Sequence, residues 1–157
     1  MRHPALISLS HDHHHGLALA LRCRKQALGQ LRPMGVKGLK ERAGEFREFF
    51  ANQLVLHFRA EEEVLFPQMR ALVPESESII EKLIRDHQQF RAAMPQLESE
   101  VGLGKLVFDL GDLLERHIRK EERELFPLFE QYVGETAAEA VGAEIKTILG
   151  SSGFTAK

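Results

Sequence analysis

Sulfur, surplus charge and long apolar runs are all nearly missing from this chain. Cys23 is its only cysteine, so an internal disulfide, a thiolate zinc site and an iron–sulfur cluster are excluded within one chain. The net charge is −2, and no Lys/Arg cluster offers a footprint for nucleic acid or an anionic membrane. No apolar run reaches the roughly 18 residues that a membrane span requires. The first residues, MRHPALISLSHDHHHG, lack both a long apolar region and a small-residue cleavage site, so no secretory signal is expected. A cytoplasmic, reducing setting is the default expectation. Strand signals are missing as well: no alternating β-branched run is flanked by hairpin turns.

What is present reads as helix. The 157 residues, 43% hydrophobic and 28% charged, suit one soluble domain that can bury its own core. Leu6, Leu9, Leu17, Ala20 and Leu21 recur at helical spacing and stop before Pro33, Gly35 and Gly38. A second helix is expected to start near Val36 to Lys40, with a stripe through Leu39, Phe46, Phe49, Phe50, Leu54 and Leu65, and Pro67 and Pro74 marking its end. The third follows Pro74, where Glu75, Ser76, Glu77 and Ser78 supply capping and N-terminal acid. It weakens at Pro95 and ends before Gly102 and Gly104. The fourth runs from about Leu103 to Tyr132. Short connections between long amphipathic helices predict an all-α, antiparallel up-down four-helix bundle over residues 1–133. Residues 134–157 form the remainder: a short helix from Ala137 to Leu149, then SSGFTAK, expected to fray.

Histidine and carboxylate are distributed in a repeating pattern. His57 to Pro67 reads HFRAEEEVLFP, and His117 to Pro127 reads HIRKEERELFP. Each copy sets a histidine one helical turn before a glutamate (His57 and Glu61, His117 and Glu121), so imidazole and carboxylate share a face. A proline closes each copy at the same offset, where it should bend or end the helix. The first and third helices carry Asp12-His13 and Asp86-His87. In a bundle, each helix would send inward ligands from one level of the core. Imidazole and carboxylate without sulfur suit iron or manganese, with zinc and copper possible by affinity. A carboxylate has two oxygens, so Glu61 and Glu121 are natural bridges between two cations.

A lone His-x-x-x-Glu pair usually lies on a surface, but His57 and His117 stand inside apolar stripes, where an unpaired charge is very costly. A metal-free network of buried ion pairs is the competing arrangement. His87 has Leu83, Ile84 and Phe90 one turn away and is therefore inward. Helix one leaves a choice between neighbours. His13 follows the Asp-His pattern and shares a face with Leu6, Leu9 and Leu17, whereas His14 matches the downstream spacing of His87. Both stand as candidates, with His13 ahead; His11 and His15 are expected at the rim or in solvent.

The ordered set HDHHHGL, HFRAEEEVLFP, RDHQQF and HIRKEERELFP resembles the hemerythrin-like family, also called the HHE cation-binding domain, over almost the whole chain to about Tyr132. The resemblance implies a bundle holding two iron ions (Fe2+/Fe3+) bridged by carboxylates and an oxo or hydroxo group, with manganese or zinc possible. The ligands it carries over are His13 or His14, His57, Glu61, His87, His117 and Glu121. This chain departs from the oxygen carriers of the family, which resemble it but have a His-x-x-x-His pair on the third helix. Here Arg91 stands four residues after His87. The carriers also take a carboxylate five residues after the last histidine; Glu122 offers that position, while the first repeat favours Glu121. Members implicated in iron–sulfur cluster repair have an added cysteine-bearing segment that is not found here.

The expected function is therefore a di-iron protein that binds or senses oxygen, nitric oxide or peroxide, or handles iron. Its partner is a small diatomic or peroxide ligand rather than nucleic acid or membrane. The alternatives are a di-metal oxidase or peroxidase, and a metal-dependent regulatory interaction module. The enzyme ranks lower because ferritin-like sites use Glu-x-x-His pairs and more inward carboxylates.

Overall fold

The computed structural model describes residues 1–155, with side chains through Gly150. A 3₁₀ turn at Pro4–Leu6 opens the chain, started by the His3 ring accepting the Ala5 N–H at 2.9 Å. It leads into α1 (Ile7–Ala27), which stops where Gly29 takes φ +73°. The second helix, α2 (residues 35–72), is a single rod broken by two π turns, Phe50–Leu54 and Glu61–Leu65. After the 3₁₀ turn Pro74–Ser76 comes α3 (Glu77–Gln96), then α4 (residues 103–132) with a π turn at Glu121–Leu125. A fifth helix, α5 (Glu135–Thr155), closes the chain.

The four long helices lie where the hydrophobic periodicity places them, and the described residues contain no strand. Three local details differ from expectation. Ser76 does not cap α3 with its side chain; its hydroxyl instead donates to the Val73 carbonyl at 2.7 Å and ties down the preceding turn. Pro67 and Pro127 do not end their helices, which run on to Leu72 and Tyr132. Helix α5 extends beyond the 137–149 stretch expected for it and through Thr155; the last two residues of the segment expected to fray lie outside the described residues. This helix joins the main core, where Ala138, Val141 and Ile145 bury themselves with Leu6, Leu9, Val64 and Phe66.

Helices α1 and α4 cross closely because Gly111 has no side chain. A Cβ there would fall 2.8 Å from the Ala20 carbonyl oxygen and 2.9 Å from the Cys23 Cβ. Along the bundle the apolar core divides in two. One cluster holds Leu9, Leu65, Leu83 and Leu125; the other holds Leu19, Phe58, Phe90 and Leu114. Each of the helices α1 to α4 passes from one cluster to the other through a buried histidine.

Candidate metal centre

The layer between the two apolar clusters is polar and buried. His13, His57, Glu61, His87, His117 and Glu121 are all buried, none more than 4% exposed. They come from α1, α2, α3 and α4, the repeats on α2 and α4 each supplying a histidine and its i+4 glutamate. Donor atoms fall into two groups: His13, His57, Glu61 and Glu121, and Glu61, His87, His117 and Glu121, the atoms of each lying within 4.8 Å of one another. Both glutamates belong to both groups.

The inner contacts are close, but only the one between His57 and Glu61 is directed as a hydrogen bond. His13 Nε2 lies 2.7 Å from Glu121 Oε1, and His87 Nε2 lies 3.0 Å from Glu61 Oε1. His57 Nε2 lies 3.1 Å from Glu61 Oε2, and His117 Nε2 lies 3.6 Å from Glu121 Oε2. Nevertheless the Nε2 atoms of His13, His87 and His117, Glu61 Oε1 and both Glu121 oxygens have no hydrogen-bond partner of acceptable geometry. Buried polar atoms are nearly always satisfied, because an unmade bond costs about 1–3 kcal/mol. Six such atoms converging on one layer are costly as a self-contained ion-pair network, and they suit cations held between them. The residues therefore fit the two-cation site that the sequence pattern implies.

The outward faces of the four rings are satisfied, and in a regular order. His57 Nδ1 donates to Asp12 Oδ2 at 3.0 Å and His87 Nδ1 to Glu62 Oε2 at 2.6 Å. His117 Nδ1 donates to Asp86 Oδ2 at 2.9 Å and His13 Nδ1 to Glu122 Oε2 at 2.6 Å. Helix α1 thus supports the histidine of α2, α2 that of α3, α3 that of α4, and α4 that of α1. An ionised carboxylate only accepts, so each Nδ1 carries its proton, and a ring that gives up its Nε2 proton to a cation turns that lone pair inward. Such outer carboxylates fix ring orientation and raise the basicity of a metal-ligating imidazole. Cations stand behind three of them: Arg91 on Glu62, Lys82 on Asp86 and Arg2 on Glu122.

The prolines of the two repeats shape the backbone at the centre. Phe66 N–H bonds the Glu61 carbonyl, and Phe126 N–H bonds the Glu121 carbonyl, both five residues back. Pro67 and Pro127 follow directly, with no N–H to donate and a ring that collides with a regular helical carbonyl. A π turn widens the coil at that point and adds a residue to it. Side chains beyond the turn shift around the helix, and Leu65, Phe66, Leu125 and Phe126 all become buried. Phe66 then stacks near His87 (5.8 Å, 21°) and Phe126 near His13 (5.5 Å, 14°). Phe58 lies flat on His87 at 3.7 Å. These rings exclude water from the layer and lock the imidazoles.

The carboxylates set the charge of the histidines when no cation is present. Burial pulls the His13 imidazole down, but Glu121 and Glu122 outweigh it and its pKa rises above the usual value. Burial likewise opposes protonation of His57 and His87; Glu61, with Asp12 and Glu121 for His57 and Glu62 for His87, raises both. Burial would raise Glu121, yet its contacts with Glu61, His13 and His57 hold it well below the carboxylate range. Glu62 resists burial in the same way, lowered to about 2 by His87 and Arg91.

Six of the seven candidate ligands meet in this layer. His14 does not: it is exposed on α1, about 100° around the helix from His13, and belongs to neither group. Of the two neighbours, His13 is the one whose side chain lies in the layer. Glu121 lies inward and Glu122 outward, as the first repeat suggested. The sequence pattern contains the four outer carboxylates but does not assign them to the Nδ1 atoms of the neighbouring helix. Their signal was the doublets themselves, Asp-His twice and Glu-Glu twice, in which one member faces the centre and its neighbour faces the next helix. Among the described residues no helix is long and apolar enough to cross a membrane.

A family model described as the hemerythrin HHE cation binding domain matches residues 5–129, a span that contains every residue of the inner layer and the outer ring. No curated protein and no solved structure matches the chain.

Proposed function

Since the chain belongs to the hemerythrin HHE cation-binding domain family, we propose that this metal-binding protein holds two iron ions and uses them to bind or sense oxygen, nitric oxide or peroxide in a cytoplasmic setting. The observation that carries this reading is the sharing of Glu61 and Glu121 by both donor groups. His13 and His57 would hold one cation, His87 and His117 the other, with one oxygen of each glutamate going to either side. Four protein donors per cation leave coordination positions open on an ion that prefers six. Iron bound there would supply reversible one-electron chemistry and a place for a small ligand.

The protein's own contribution is orientation, charge and dryness. The outer carboxylates keep each imidazole in the Nδ1–H form and add negative charge around the centre, which favours the higher oxidation state of a bound ion. Phe58, Phe66 and Phe126 keep bulk water away. The oxidase or peroxidase reading draws less support, because only two carboxylates face inward while four are engaged with Nδ1 atoms.

Expression with iron, metal analysis and absorption spectra with oxygen, azide and nitric oxide test the proposal. About two irons per chain and ligand-dependent charge-transfer bands are expected. Turnover of peroxide without a stable adduct would favour the enzyme. A stably folded protein that takes up no metal, and in which His57→Ala changes nothing, would overturn the metal centre.

A further inference from the structure

The buried centre uses only one of the four histidines in the HDHHH run. His11 and His15 are both exposed, four residues apart on α1, with ring centroids 4.9 Å apart and planes at 83°. Their Nε2 atoms face each other at 3.4 Å. That is long for an N–H···N hydrogen bond, for which about 2.9–3.0 Å is usual. It matches the edge of a tetrahedron whose metal–nitrogen bonds are about 2.0–2.1 Å, an edge of roughly 3.3–3.4 Å. Histidines at i and i+4 on one helix face form a known zinc-chelating geometry.

We propose that His11 and His15 form a second, surface site for a borderline divalent cation such as Zn2+ or Cu2+. It is distinct from the buried centre and is completed by water. Two neutral imidazoles without a carboxylate select zinc or copper over manganese and iron. His14 projects elsewhere and takes no part. The site is open on its outer side, and His15 borders a groove between α1 and α2 that also carries Glu48 and Asn52. Because His11 and His15 stand on either side of His13 in sequence, a cation clamped here would stiffen the turn of α1 that presents His13 to the centre.

The test is zinc titration of the full chain after its buried centre has been filled, followed through the imidazole ¹⁵N resonances and by metal analysis. One further equivalent of zinc is expected, shifting the Nε2 resonances of His11 and His15 and leaving His14 in place. His11→Ala and His15→Ala should each abolish that equivalent; both residues are exposed, so folding is not at stake. His14→Ala should leave it intact. No further equivalent in the parent protein, or one that survives the double variant His11→Ala/His15→Ala, would overturn the site. Since metal analysis of the variants counts the surface equivalent separately, the result is independent of which metal the buried centre takes.

Discussion

Glu62 accepts a hydrogen bond from His87 Nδ1 at 2.6 Å although the two residues stand on different helices. Glu61, its neighbour in sequence, lies 3.0 Å from the Nε2 atom of the same ring. One glutamate doublet therefore grips both nitrogens of one histidine, one carboxylate inside the centre and one outside. The second doublet does the same for His13, with Glu121 at 2.7 Å and Glu122 at 2.6 Å.

This double grip predicts that the outer member matters to the metal without being a ligand. Glu62→Gln keeps the shape but accepts more weakly and carries no charge. Affinity for the cation on the His87 and His117 side should fall about 10–100-fold, while the fold persists. Competition with a chromogenic chelator reads the loss. An unchanged affinity would show that Glu62 serves only its ion pair with Arg91.

Helix one supplies the next prediction. His13→Ala removes an inner donor and should leave one of the two cation positions weakly held or empty. His14→Ala alters an exposed side chain, should change stability by no more than about 0.5 kcal/mol, and should keep the full complement. Metal content per chain after gel filtration separates the two. Equal losses in both variants would reopen the choice between the neighbours.

Much of this was legible in the sequence, for identifiable reasons. The stripes through Leu83 and Phe90 and through Leu110 and Leu114 fix the third and fourth helices because burial enforces helical periodicity. The His-x-x-x-Glu spacing fixes two ligand pairs because one turn of helix is local geometry. The outer ring was hidden because Asp12 finds its partner 45 residues away, on a helix whose rotation depends on packing. The π turns were hidden too: a proline reports that a regular helix cannot continue, and Phe66 against His87 decides what replaces it.

The π turn at Glu61–Leu65 leads to a prediction of opposite signs. Proline inside a regular helix costs about 3 kcal/mol, and the wide turn absorbs part of that. Pro67→Ala restores an N–H and allows the backbone to tighten toward α. The metal-free protein should gain stability, by less than that figure. Tightening would rotate Leu65 and Phe66 away from their places, loosen His87, and weaken metal binding. Thermal unfolding of the metal-free form and chelator competition measure the two effects. Metal affinity equal to the parent's would mean that packing, not Pro67, holds the turn open.

The raised histidines make the stability of the metal-free protein depend on pH in an unusual direction. His13, His57 and His87 have folded-state pKa values above their ordinary one, about 6.5. Between about 6.5 and those higher values the folded chain binds more protons than the unfolded chain. Stability then falls as pH rises. Their contribution is complete below about pH 6.5 and is lost as pH climbs through the folded values. The carboxylates behave conversely: Glu62, at about 2, stabilises the fold above its ordinary carboxylate range and loses that effect in acid. A bound cation needs deprotonated Nε2 atoms, so loading releases protons and becomes tighter as pH rises. Calorimetry from about pH 6 to 9 should show the metal-free transition moving down and the metal-loaded transition moving up. A metal-free transition that stays level across that range would mean that His13, His57 and His87 are already neutral, and the carboxylates would then lack the counter-charge assigned to them.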